Sequence, residues 1–321
     1  MRKTLFNIFY FFGLPTFLRR SKKDAVTILN IHRVSNDEDF FFAPITPERF
    51  DQLLKYCSKN YSIVSLNELE KPTPKRKLVL SFDDGYADFM EHAIPILEKY
   101  DLPSNHNLVN DCLNANTPIW TQLMNDVYNH LRDNNILDSS IIEKHGSTFE
   151  ESNSNWIAYY ASFFQSMLKL KKRERTQVIA SLVELYKIEN SSTMMSWEDA
   201  KLCQEKYKVE IGTHTFSHDV LSTLSDREDF NSEIGKSIEE LESKLGRKTD
   251  TMALPNGQFD QDCIDYCKTT SLKRVLLVNN KLQTETQNND NLNLINRVYL
   301  INEPIKEMIL RTELFHAKFR R

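Results

Sequence analysis

The stretch LVLSFDDGYADF, Leu78 to Phe89, decides how the rest of the chain is read. An apolar run of strand character, Leu78-Val79-Leu80, stops at two adjacent carboxylates, Asp83 and Asp84, and then at Gly85, in a chain with only 7 glycines. Two readings of the pair are open. Asp and Gly are ordinary turn residues, and an Asp can cap the helix that follows. Alternatively, neighbouring carboxylates at a strand end divide labour, one binding a cation while the other takes a proton from water attached to it. The second reading requires more ligands elsewhere in the chain.

Outward from this stretch the chain alternates strand and helix. VTILNIH (26–32) is an apolar run of strand length, Pro47 to Cys57 is a helix with Thr46 as N-cap, and YSIVSL is a second short strand. After the acids, Phe89, Ala93, Leu97 and Tyr100 form one helical stripe that Pro95 kinks or begins. Such alternation predicts a parallel sheet covered by helices. From about 114 to 194 strand signals vanish and aromatic-rich helical segments predict an insertion, loosest over Asp133 to Asn155. Beyond it come a Ser196-capped helix, the strand KVEIG, an amphipathic helix through Ile234, Ile238, Leu241 and Leu245, and the strand TMALP with its Asn256-Gly257 turn. A helix near Cys263, short strands at RVLLV and LINRVYL, and a helix from Pro304 to Lys318 complete the series.

KVEIG runs straight into THTFSH, whose His214 and His218 stand four apart where an apolar strand stops. Two imidazoles at that spacing reach one cation if the segment bends or begins a helix, and Asp84 would complete a two-histidine, one-carboxylate set with open positions. Both halves sit at C-terminal ends of predicted parallel strands, where α/β barrels place their sites.

With 321 residues, 40% hydrophobic and 27% charged, the chain is globular and long enough for one large α/β domain or two small ones. A formal charge of −4 and the lack of a basic stripe argue against nucleic acid as a partner. Cys57, Cys112, Cys203, Cys263 and Cys267 lack metal-site spacing and are odd in number, so reduced structural thiols are expected. Residues 1–25, beginning MRKTLFNIFYFFGLPTFLRRSKK, are set apart from a catalytic domain at 26–321. This segment reads as an interfacial membrane anchor, a helix packed on the domain, or, less favourably, an export signal. Location in the cytoplasm or at the cytoplasmic membrane is the matching expectation.

The ordered set FDDG, HTFSH and LPNG, with YSIVSLNEL before the first and MSWEDAKLCQEKYKVEIG before the second, resembles the polysaccharide deacetylase family, also called the NodB-homology domain or carbohydrate esterase family 4. The resemblance runs from about Thr27 to Leu300 outside the insertion. It implies a distorted (β/α) barrel of about seven strands, one divalent metal, usually zinc, and hydrolysis of N-acetyl groups on an amino-sugar glycan or its lipid- or nucleotide-linked precursor. By position, Asp83 matches the base acting on metal-bound water, and Asp84, His214 and His218 match the metal ligands. Pro255, Asn256 and Gly257 of the LPNG turn, with Tyr86, are the expected substrate contacts.

The chain departs from the commonest pattern in lacking the arginine of the LPNG segment and the late Leu-x-His-like acid. Arg297, in INRVYL, resembles the late arginine of a subgroup and is assigned to orient Asp83, against the alternative of an ordinary structural ion pair. His32, in LNIHRV, resembles an element of the poly-N-acetylglucosamine deacetylases and is preferred as acid over His316, because strand ends converge on a barrel site. Trp120 is expected to pack between helices rather than on sugar. His92, His106, His130 and His145 are expected to be structural or exposed, with His106 the exception to watch, because SNHNLVN stands where the family has a strand. A silent carbohydrate-binding or scaffold relative and a deacylase or deformylase acting on another C–N amide are the alternative functions.

Overall fold

The computed structural model describes residues 2–136, 156–284, 287–289 and 291–315. Its strands are β1 (Thr27–Ile31), β2 (Ser62–Ile63), β3 (Lys77–Asp84), β4 (Ser104–Leu108), β5 (Val209–Thr213), β6 (Thr251–Ala253), β7 (Arg274–Leu276), β8 (Gln287–Asn289), β9 (Leu292–Ile295) and β10 (Val298–Tyr299). One curled sheet runs β10-β1-β3-β4-β5-β6-β7-β9-β8, with β2 attached to β3. Every pairing is parallel except that of β8 with β9.

The distorted barrel follows from one interrupted segment. The stretch expected as a single strand, LINRVYL, is two: β9 pairs with β7, and β10 pairs with β1 on the far side of the sheet. The break falls at Asn296 and Arg297. Counted as one segment, β9 and β10 complete a ring of seven stations, as the family resemblance implied.

Pleating sorts β3 between two layers, since alternate side chains face opposite sides of a strand. Leu78, Leu80 and Phe82 pack outward against helices, with Phe50, Leu53 and Leu97. Val79 points inward, among Ile28, Ala253, Leu276 and Ile295 of the neighbouring strands. Helix capping is as the sequence implies: Thr46 Oγ1 accepts from Arg49 N, and Ser196 and Asp199 form a capping box. Pro95 lies in the first turn of Ile94–Lys99, after one π-helical turn at Phe89–Ala93. All five cysteines are buried and free. The last helix, Ile305–Thr312, stops short of the expected end, and His316 lies outside the described residues, as does His145.

β4 carried no strand signal of its own because Ser104-Asn-His-Asn is polar, yet all five of its residues are buried. His106 faces outward beneath Phe89, with ring centroids 4.2 Å apart, and neither ring nitrogen makes a well-formed hydrogen bond. Burial, partly offset by Asp83, lowers its pKa to about 4. In the fold it stays neutral, whereas in the unfolded chain it takes a proton below its ordinary value of about 6.5. Its contribution is therefore present above pH ~6.5 and lost as pH falls through about 4, on the order of 3 kcal/mol in all. His106→Leu should lose less stability than the parent between those limits, as read by denaturant midpoints across pH.

Candidate active site

Strict pleating would aim Asp83 and Asp84 at opposite faces of β3. The backbone instead turns left-handed at Asp84 (φ 79) and Gly85 (φ 90), so both carboxylates line one cavity of about 260 Å³ at the C-terminal ends of the strands. Glycine accepts such a φ freely, whereas Asp84 is held in it at a cost of about 1–3 kcal/mol.

Asp83 points into the barrel over a buried polar layer. Its Oδ1 accepts from Asn107 Nδ2 at 2.8 Å and from Arg297 Nη1 at 2.8 Å, and Arg297 Nη2 lies 2.8 Å from Oδ2. Arg297 also donates to Ser81 Oγ (3.2 Å) and to the Leu277 carbonyl (3.1 Å), filling the seam where β9 gives way to β10. Burial would raise the Asp83 pKa, but the Arg297 guanidinium, aided by His214, outweighs it and holds the carboxyl well below the usual range. Asn107 fits only because β5 has a glycine opposite: a Cβ on Gly212 would lie 2.3 Å from Asn107 Oδ1.

Asp84, His214 and His218 converge. Asp84 Oδ1 is 3.3 Å from His214 Nε2 and 3.6 Å from His218 Nε2, and one donor atom from each residue lies within 4.8 Å of the others. His214 Nδ1 donates to the Ala253 carbonyl at 2.9 Å, which leaves the Nε2 lone pair toward Asp84. The set fits a divalent cation on its own chemistry. Asp84 Oδ1 is buried without a well-formed hydrogen bond, and a tetrahedral zinc with bonds of about 2.0–2.1 Å spaces its ligand atoms about 3.3 Å apart. No other group of three such side chains appears among the described residues.

The His218 loop is held by the helical insertion, which sequence reasoning assigned no part in the site. Thr215 (φ 66) and His218 (φ 59) are both left-handed. Trp120 Nε1, from the Trp120–Asp133 helix, donates to the His218 carbonyl at 2.9 Å, and Arg175, from Lys172–Tyr186, pairs with Asp219 next door. Trp120 also stacks on Phe164, with centroids 5.8 Å apart, in keeping with packing rather than sugar contact. Gln122, Asn125, Tyr160 and Phe164 of the insertion line the cavity directly.

His32 follows β1 in the register that pairs Ile31 with Phe82, and it lines the same cavity, half-buried. Its ring meets Phe42 and Tyr299 edge-on, at 5.2 and 5.5 Å. Burial lowers its pKa, and Asp84 and Asp83 only partly offset that. Of the expected substrate contacts, Tyr86 and Asn256 line the cavity, and Asn256 Nδ2 is buried with no protein partner. Pro255 and Gly257 do not line it. They shape the turn that presents Asn256, which is itself left-handed at φ 54.

A family model described as polysaccharide deacetylase matches residues 146–275, a stretch that includes His214 and His218 but not the two acids. No curated protein matches the chain in sequence. Among solved structures, the Streptococcus pyogenes deacetylase PplD in complex with acetate is similar at a TM-score of 0.59 and 16% identity, over 90% of this chain and 98% of that one. IcaB from Ammonifex degensii is similar at 0.57 and 16%, over 91% and 98%. A de-N-acetylase from Aggregatibacter actinomycetemcomitans gives 0.52 and 19%, over 87% and 95%. At these identities the likeness concerns the fold. The stretch 146–275 thus matches the polysaccharide deacetylase model, and the barrel that carries it has the fold of these solved structures.

Proposed function

We propose that this protein is a metal-dependent hydrolase that removes N-acetyl groups from an amino-sugar glycan or its precursor. The observation that carries the proposal is the buried Asp84–His214–His218 cluster with a second carboxylate, Asp83, in the same cavity. Asp84 Oδ1, His214 Nε2 and His218 Nε2 would hold a divalent cation, zinc or another divalent transition metal that accepts two imidazoles and a carboxylate. When bound, it supplies Lewis-acid polarisation and lowers the pKa of water.

The chain's own groups account for the proton traffic. Asp83, kept ionised by Arg297, accepts the proton that the attacking water gives up as its oxygen bonds to the acetyl carbon. His32 gives a proton to the amine nitrogen as the C–N bond breaks, so acetate and a free amine leave. A lowered pKa makes His32 a ready donor once it is charged. Asn256 lines the same space, and its unpartnered side-chain amide is suited to a substrate oxygen. Phe42, Tyr160, Phe164 and Tyr299 offer apolar faces on which a sugar ring can lie.

Purified protein is expected to release acetate from acetylated amino sugars or their oligomers, to stop when a chelator strips its cation, and to resume with zinc. His32→Ala should keep the cation and lose about 10²-fold in turnover. Metal-loaded protein that releases acetate from none of these substrates would end this reading. A His32→Ala variant of full activity would return the acid role to His316.

A further inference from the structure

The N-terminal helices have two dissimilar faces. Arg2–Phe11 and Leu14–Ser21 form a hairpin about Gly13, whose φ of 73 permits the turn. On the inner face Phe6 and Leu18 are buried with Leu310 and Phe315, and Phe9 meets Phe315 at 5.0 Å. Arg19 donates to Tyr56 (2.9 Å) and Asn60 (3.0 Å) and lies 3.6 Å from Glu313. The hairpin is therefore packed on the domain along this face.

Its outer face is apolar and basic. Phe11, Phe12 and Phe17 are 84%, 80% and 67% exposed around the turn, and Ile8 is 46% exposed. Arg20 is exposed and stands three residues from Phe17 on the same helix, so the two share a face. Lys23 is exposed just beyond. From residue 1 to 23 the chain has Arg2, Lys3, Arg19, Arg20, Lys22 and Lys23 and no acid, although its net charge is −4. Among the described residues no helix is long and apolar enough to cross a membrane.

We infer that this hairpin docks the protein on an anionic phospholipid surface, with Phe11, Phe12 and Phe17 entering the interface and Arg20 and Lys23 meeting the headgroups. Aromatic side chains beside cations, with the exposed Asp24 the one acid at their edge, match the interfacial layer of such a bilayer. A second copy of this chain is a poorer occupant, because a two-fold contact would set the basic patch of one copy against the same basic patch of the other. The hairpin also lies at the opposite end of the barrel from the cavity. Glu313, which neighbours Arg19, pairs with Arg76 at 2.7 Å, and Arg76 donates to Thr27 Oγ1 at 2.6 Å, where β1 and β3 begin. His32 and Asp83 stand where those strands end, so docking leaves the cavity uncovered.

The test uses the full chain and vesicles of phosphatidylcholine with or without phosphatidylglycerol, read by co-flotation. The parent should float with the anionic vesicles, less at high salt, and about tenfold less with phosphatidylcholine alone. Phe11→Ser/Phe12→Ser/Phe17→Ser should bind at least about tenfold more weakly, with unchanged circular dichroism, since the three rings touch little of the domain. If that variant misfolds, Arg20→Glu/Lys23→Glu replaces it and should lose the anionic preference. A parent that ignores anionic vesicles, or folded variants that bind as the parent does, would overturn the inference. So would a concentration-dependent dimer, abolished by the serine variant, in place of vesicle binding.

Discussion

Asp83→Asn is expected to lower acetate release by about 10²-fold or more while leaving one cation bound per chain. The substitution keeps the shape of the side chain but removes its capacity to accept a proton. It also turns an NH₂ toward a guanidinium, because Arg297 presents Nη1 to one Asp83 oxygen and Nη2 to the other. One donor then faces another in the barrel interior, which costs on the order of 1–3 kcal/mol. Asp84, His214 and His218 are untouched. Metal analysis and turnover measured on the same sample separate the two effects. A variant that loses cation and turnover together would make Asp83 a ligand and undo the division of labour between the adjacent acids.

Much of that arrangement was legible because apolar runs and their sharp ends survive in a linear sequence. LVLSF and VEIG announced themselves as strands, and each carries its candidate ligands at the end where a barrel gathers them. The cues failed where the interior is polar. Ser104-Asn-His-Asn has no apolar run, and only its resemblance to the family marked a strand there; its period-2 pattern puts Asn105 and Asn107 on the inner face, where Asn107 supports Asp83. Gly212 gave the complementary sign, a glycine inside a strand where another side chain must approach. The break between β9 and β10 was hidden for a different reason. Leu292 to Leu300 has a continuous strand composition, and only closure against both β7 and β1 divides it. The insertion was recognisable as helical from its composition, whereas its hold on the His218 loop depends on Trp120 and Arg175 reaching residues about 98 and 44 positions away.

Arg297 joins the two alternatives weighed for it, since its ion pair is with the carboxylate that would do the chemistry. Arg297→Lys and Arg297→Met should therefore fail in different ways. Lysine keeps a charge but loses the planar fork that grips both Asp83 oxygens, so the protein should fold and turnover should fall about 10²-fold. The Asp83 pKa should also rise toward its ordinary value, moving the acid limb of the kcat/KM profile upward. Methionine leaves an ionised carboxylate inside the barrel without its counter-charge, at a cost of about 3–5 kcal/mol near neutral pH. The sign with pH distinguishes this from a packing defect. In the parent, Asp83 has a depressed folded pKa, so its contribution is present above about pH 3.9 and lost as pH falls further. In Arg297→Met burial loses its main opponent, with His214 and His32 left against it, and that pKa rises, so falling pH protonates Asp83 and relieves the penalty. The gap in melting temperature between parent and Arg297→Met should accordingly narrow from pH 7 to pH 5. A gap that is constant with pH would mean that the arginine serves only to fill the seam between β9 and β10.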